Sequence, residues 1–151
     1  MQVARSRIDR ARRAPGFTLV ELLVVLVVLA VIVAIVLPKF IQSSTRSKES
    51  ALRNDLRQLR EAINRFQNDT SRFPVQLNDL AELSAPPTCS TGSAVMPLDP
   101  SSWHGPYIGE VPDDPISGLP FAYSSNGAGA GRVTSSAVGR RALDGTPYTT
   151  W

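Results

Sequence analysis

The sequence predicts an α+β fold in which one long N-terminal helix packs on a small head that contains an antiparallel β-sheet. Two patterns predict the helix: an apolar run over residues 17–37, and a later stripe of apolar residues at spacings of three and four. A third pattern predicts the sheet, because short β-prone segments alternate with turn residues towards the C-terminus. The 151 residues are enough for one compact domain.

The apolar run of residues 17–37 contains only two polar side chains, Thr18 and Glu21. A helix of these 21 residues is about 30 Å long, enough to cross the apolar core of a bilayer. The net charge of the chain is +3. Residues 1–16 have a net charge of +4, so the later residues together have a net charge of −1. The charged residues of this tail are Arg5, Arg7, Asp9, Arg10, Arg12 and Arg13. Such a tail predicts a cytoplasmic N-terminus, and we expect no binding to nucleic acid.

Three interpretations of the apolar run compete. A cleaved secretory signal has an apolar region of about 7–15 residues followed by small residues, whereas this run is longer and is followed by Pro38 and Lys39. An uncleaved membrane anchor fits the length and the charge. It gives no reason for Glu21, because a carboxylate within an apolar span costs roughly 2.5–3.5 kcal/mol. The third interpretation is a membrane helix whose carboxylate has a partner.

Residues 16–22 form the motif G-F-T-L-V-E-L, which resembles the processing site of type IV pilins and type II secretion pseudopilins. The resemblance implies that a prepilin peptidase cuts between Gly16 and Phe17, that Phe17 is N-methylated, and that the apolar segment is retained. It implies that Glu21 pairs with the N-terminal ammonium of a neighbouring subunit and so favours the correct register. Many family members have a proline where this chain has Pro38. We expect a kink or local melting there, which marks either the membrane exit or a filament-packing position.

A second helical pattern follows Pro38. Five apolar residues recur at spacings of 4, 3, 4 and 3: Leu52, Leu56, Leu59, Ile63 and Phe66. They form one stripe of an amphipathic helix, which we expect to pack on the head of the same subunit. The opposite face, which includes Glu49 and Arg53, is expected to be solvated. Residues 17 to about 68 are therefore predicted to form one long helix.

The head is predicted from weaker signals. Residues 84–106 are rich in Ser, Pro, Thr and Gly, which predicts an irregular surface loop. Short strands are predicted at residues 107–108, 121–123, 132–134 and 148–151. Cys89 is the only cysteine, so no intrachain disulfide can form.

Two segments of the head add a second resemblance. W-H-G-P-Y-I at residues 103–108 and V-P-D-D-P-I-S-G-L-P-F-A-Y at residues 111–123 resemble the major pseudopilin of type II secretion systems. That family often holds a calcium ion in a loop near its C-terminus. Here residues 124–151 contain one acid, Asp144, and Asp113 and Asp114 could contribute only if the fold brought them near it. Calcium takes six to eight oxygen ligands. We therefore predict no cofactor and retain these three acids as weak calcium candidates.

The observations predict a structural subunit of a type IV pilus-like filament, the pseudopilus of a type II secretion system. Four regions are expected: a cleaved leader (1–16), a membrane and filament-core helix (17–38), an amphipathic helix half (39–72), and a loop and β-sheet head (73–151).

Expected partners are copies of the chain, other pilin-like subunits, prepilin peptidase and an inner-membrane assembly platform. The resemblance implies a single-pass protein of the bacterial inner membrane with its head outside the cytoplasm, and then an extracytoplasmic filament. The alternatives are a true type IV pilin, a minor or DNA-uptake pilin, and a membrane-anchored binding module or enzyme. The head shows no recognisable catalytic constellation, which predicts a non-enzymatic role.

Overall fold

A single long helix dominates the N-terminal part of the chain. The computed structural model describes residues 16–151, and residues 1–15 of the predicted leader lie outside the described residues. The helix, α1, spans Leu19–Thr70 and confirms the predicted long helix. The helix continues through residue 38, where the sequence predicts a kink or local melting. The chain divides into two units at residues 41 and 42, and α1 contributes to both.

The first unit, as far as it is described, is the apolar part of α1 and the three residues before it. An 18-residue window of α1 has a mean hydropathy of 3.4, and none of it is buried against the rest of the described chain. The helix is therefore long and apolar enough to cross a membrane. Because apolar surface of this extent is unfavourable in water, this unit requires lipid or another protein chain around it.

The second unit, Gln42–Trp151, has its core along the amphipathic half of α1. The predicted stripe is confirmed, since all five of its residues are buried, together with Ala62 on the same helix. The head supplies the facing side chains, which include Leu80, Phe121, Val133 and Tyr148. Burial of each large apolar side chain contributes roughly 1.5–3 kcal/mol, so the stripe is the main attachment of α1 to the head.

The head contains two separate two-stranded antiparallel sheets. β1 (Thr88–Ser90) pairs with β2 (Val95–Pro97), with Cys89 opposite Met96. β3 (Ala122–Ser124) pairs with β4 (Arg132–Thr134), with Tyr123 opposite Val133. Short 3-10 turns cover Leu77–Leu80, Pro100–Ser102, Gly127–Gly129 and Tyr148–Thr150. The α+β class is therefore confirmed, with two small sheets in place of one.

Several of the predicted head elements differ from the structure. The strands at residues 121–123 and 132–134 are confirmed within one residue. The hairpin of β1 and β2 lies in the segment predicted as an irregular loop; all three β2 residues are exposed, so no alternation marks the strand. Residues 107–108 are not a strand, because the N–H groups of Tyr107 and Ile108 both donate to the carbonyl of Leu80 instead of forming a ladder. Residues 148–150 form a 3-10 turn.

Gly131 allows the second hairpin to approach α1. Its φ of +79° favours glycine, and a Cβ at this position would lie 2.5 Å from the Phe73 ring. Its N–H donates to the Ser124 carbonyl at 2.8 Å, which closes the β3–β4 connection. A larger residue would have to displace the Phe73 ring from the edge of the core.

Candidate assembly site

The start of α1 is fixed by Thr18. Residues 16–18 are not helical. The N–H of Glu21 donates to Thr18 Oγ1 at 3.2 Å, and the N–H of Leu22 donates to the Thr18 carbonyl at 3.2 Å. These are the contacts of an N-cap residue, which satisfies donors that a helix start leaves unpaired. Gly16 and Phe17 therefore lie in non-helical chain directly before the cap.

Glu21 is the acidic residue of the first helical turn, and its side chain is exposed. A carboxylate in this position interacts favourably with the helix macrodipole. Glu21 is also the only charged residue between residues 17 and 37. A cation that pairs with Glu21 within this apolar segment must therefore come from a newly formed N-terminus or from another chain.

The apolar surface surrounds the whole N-terminal part of α1. Phe17 is 74% exposed, and the least exposed large apolar side chain between Leu19 and Leu37, that of Val25, is still 48% exposed. A helix that is apolar on every side is typical of one enclosed by lipid or by other helices. The Pro38 side chain lies outside the described residues, so its role in packing stays a prediction.

Glu49 attaches the C-terminal segment of the head to α1. Its side chain is 5% exposed. One carboxylate oxygen accepts hydrogen bonds from the Leu143 N–H at 2.8 Å and from the Tyr148 hydroxyl at 3.0 Å. Burial and this carboxylate raise the pKa of Tyr148 to about 12. The expectation that Glu49 is solvated is therefore wrong, because its partners lie more than ninety residues further along the chain.

The aromatic motif at residues 103–107 lies near the C-terminal end of α1. The Tyr107 ring contacts Phe66 and Trp103 edge-on, with centroid distances of 5.6 and 6.2 Å. Its hydroxyl donates to Asp69 at 2.9 Å. Burial and the neighbouring Asp69 carboxylate raise the pKa of Tyr107. The motif therefore supports the head on the helix by packing.

Asp114 is completely buried and joins two loops of the head. Its Oδ1 accepts from the Ile116 N–H at 2.8 Å and the Ser117 N–H at 3.4 Å. Its Oδ2 accepts from the Ser135 hydroxyl and from the Ser136 N–H at 3.0 Å. Burial raises the pKa of Asp114, but hydrogen bonds led by that from Ser135 outweigh it, so the pKa lies below its ordinary value.

The other two calcium candidates are exposed. Asp113 forms an isolated antiparallel bridge with Pro120 through the backbone. Asp144 accepts hydrogen bonds from the Thr146 N–H at 2.9 Å and hydroxyl at 2.7 Å, and these bonds lower its pKa. Within residues 16–151, no three His, Cys, Asp or Glu side chains group closely enough to hold a metal ion.

Comparison with known proteins agrees with both ends of this arrangement. Residues 39–149 match the family described as type II secretion system (T2SS), protein G. Residues 11–37 match the prokaryotic N-terminal methylation motif. The chain belongs to the type II secretion system protein G family. This family match confirms the resemblance to the major pseudopilin and favours it over the alternatives of a fibre-forming or DNA-uptake pilin and of an anchored enzyme.

Individual relatives span most of the chain. The type II secretion system core protein G of Aeromonas hydrophila is 30% identical over 117 residues, which cover 77% of this chain and 76% of the relative. The protein of the same name from Klebsiella pneumoniae is 30% identical over 104 residues, covering 69% and 70%. That from Pseudomonas aeruginosa is 27% identical over 117 residues, covering 77% of each chain. No solved structure matches the chain.

The structure brings some of the predicted site residues together and separates others. Gly16, Phe17 and Glu21 lie within one short segment around the helix cap. Asp113 and Asp114 are neighbours in sequence, yet one is exposed and the other fully buried. Sequence reasoning missed Glu49. The available signal was its position three residues before Leu52, which continues the spacing of the apolar stripe.

Proposed function

We propose that this protein is a structural subunit of the pseudopilus of a type II secretion system. In this proposal, prepilin peptidase cuts between Gly16 and Phe17, Phe17 is N-methylated, and α1 assembles side by side with the same helix of other subunits. Pro38 is proposed to lie in this helix packing. The partners are copies of the chain, other pilin-like subunits, the peptidase and an inner-membrane assembly platform.

One observation carries the proposal: the N-terminal part of α1 is apolar on every side and carries one carboxylate in its first turn. Before assembly, lipid covers this surface, with the N-terminus on the cytoplasmic side and the head on the other. In a filament, the helices of neighbouring subunits replace the lipid. Lipid tails are as apolar as the side chains, so packing and polar contacts between helices decide the register.

Glu21 supplies such a polar contact. Cleavage would leave an ammonium group on Phe17, in the non-helical chain before the Thr18 cap. An ammonium of one subunit and the Glu21 carboxylate of its neighbour neutralise each other where water is scarce. A subunit that is out of register leaves both charges unpaired, so the pair discriminates against wrong axial positions.

The test is replacement of Glu21 by Gln and by Leu in a strain that lacks the native gene. Both variants are expected to insert in the membrane and to lose most filament assembly, measured by filament yield after shearing, and to lose secretion. Leu lowers the cost of insertion, so a defect of that variant cannot arise from poor insertion. Normal filament yield with Glu21→Leu would overturn the proposed role.

Two controls separate register from helix capping and from processing. Thr18→Ala removes the cap but keeps the carboxylate, and we expect it to retain assembly. Intact mass of each purified variant shows whether the chain begins at a methylated Phe17. A variant that is correctly processed, inserted and unassembled isolates the effect of the Glu21 charge.

A further inference from the structure

The protein G family resemblance implies a calcium ion near the C-terminus, and the residues of this chain do not fit one. Asp114 is the only buried acid among the three candidates. Five contacts to its two oxygens come from hydroxyl or backbone N–H donors, the fifth from the Ser136 hydroxyl at 3.4 Å. A carboxylate offers about four lone-pair sites. Those of Asp114 are already directed at protein donors.

The segment between β3 and β4 is closed by hydrogen bonds as well. Residues 125–131 contain no acid. The buried Ser90 hydroxyl, at the end of β1, donates to the Ser125 carbonyl and lies 3.2 Å from the Asn126 side-chain oxygen. The Gly127 N–H donates to the Gly92 carbonyl at 2.6 Å. In this segment the Ser125 carbonyl therefore accepts from the first hairpin, and the Gly127 N–H donates back to that hairpin.

We propose that hydrogen bonds replace a structural metal ion in this head. The Asp114 carboxylate joins residues 116–117 to residues 135–136, and the Ser90 hydroxyl joins the first hairpin to the segment that connects β3 and β4. The head therefore folds and keeps its stability without calcium. This inference concerns the head alone and does not depend on the assembly of filaments.

The lowered pKa of Asp114 agrees with this role, because it means that the folded head favours the charged carboxylate. An unpaired buried anion would have its pKa raised instead. The charge of Asp114 also affects Asp55 on α1, whose pKa is raised by burial and then by Asp114. The donors around Asp114 thus perform the charge compensation that a bound cation would otherwise provide.

The experiment is thermal unfolding of the full chain in detergent micelles, first freed of metal with a chelator and then supplied with calcium at about 10⁻³ M. Trp103 and Trp151 both lie in the head and report its unfolding by fluorescence. We expect the same melting temperature with chelator and with calcium, and no retention of radioactive calcium in equilibrium dialysis. A calcium-dependent rise of the melting temperature with stoichiometric binding would overturn the proposal.

Variants locate the stabilising contacts. Asp114→Asn and Ser90→Ala are each expected to lower the melting temperature by about 4 °C or more, equally with chelator and with calcium. Asp113→Asn is the matched control, because this acid is adjacent and exposed, and its melting temperature should not change. If Asp114→Asn does not fold, the comparison of melting temperatures of the unaltered chain with chelator and with calcium still tests the proposal. A calcium response that Asp113→Asn abolishes contradicts the proposal.

Discussion

The two parts of α1 are the same secondary structure with opposite surroundings. Leu29 is 52% exposed and Leu59 is fully buried, although both lie in one continuous helix. The first part is apolar on every side, and the second is apolar on one stripe. The comparison shows that the distribution of apolar residues around a helix decides whether it can pack on its own chain through one face or needs another surface on every side.

The largest difference in head stability is expected between the same substitution, Leu→Ala, made in the two parts of α1. Leu59→Ala should lower the free energy of unfolding of the head by roughly 2–5 kcal/mol, because it opens a cavity in the core. Leu29→Ala removes the same atoms from an exposed position and should change the free energy of unfolding of the head by less than about 0.5 kcal/mol. Chemical denaturation of the full chain in micelles, followed by tryptophan fluorescence, measures both. Equal losses would mean that the two parts do not differ as described.

A smaller effect on the stability of the head is expected from substitutions at the charged positions of α1. Glu49→Ala leaves the Leu143 N–H and the Tyr148 hydroxyl without their acceptor, and it should cost about 1–3 kcal/mol of head stability. Glu61→Ala is the matched control, because Glu61 is an exposed glutamate of the same helix half. It should be close to neutral. The same chemical denaturation measures both variants. An unchanged stability of Glu49→Ala would show that attachment of the C-terminal segment to α1 does not depend on this contact.

The smallest effect on the stability of the head is expected from a substitution near the C-terminal end of α1. Tyr107→Phe keeps the ring contacts with Phe66 and Trp103 and removes the hydroxyl, which donates to Asp69 and accepts from the His104 N–H. The loss should be about 0.5–1.5 kcal/mol. A double-mutant cycle with Asp69→Ala isolates this contact. Independent effects of the two substitutions would show that the contact between the Tyr107 hydroxyl and Asp69 adds nothing to the stability of the head.

The sequence predicted the parts of the fold that depend on local pattern. The stripe from Leu52 to Phe66 repeats with the helical period, so its burial could be inferred without knowing what covers it. The strands at residues 121–123 and 132–134 combine β-prone residues with nearby glycines, which mark the turns. The processing motif was recognisable because its residues are contiguous.

The remaining features depend on contacts between distant residues. Glu49 lies in the register of the buried stripe, three residues before Leu52, but its role as acceptor for Leu143 and Tyr148 depends on residues more than ninety positions later. The buried state of Asp114 depends on serines about twenty residues later in the chain. β1 and β2 are three residues each and lie among Ser, Thr and Pro, so their composition resembles that of a loop. Long-range pairing of this kind leaves no periodic signal in sequence.

The Thr18 cap has a consequence for the proposed cleavage between Gly16 and Phe17. A protease takes its substrate as extended chain, and a bond within a helix must first be unwound at the cost of several backbone hydrogen bonds. The bond between Gly16 and Phe17 precedes α1, and the cap holds the first turn closed behind it. In the proposed function, hydrolysis there would leave every hydrogen bond of the helix in place, so the cleaved chain would not have to refold α1.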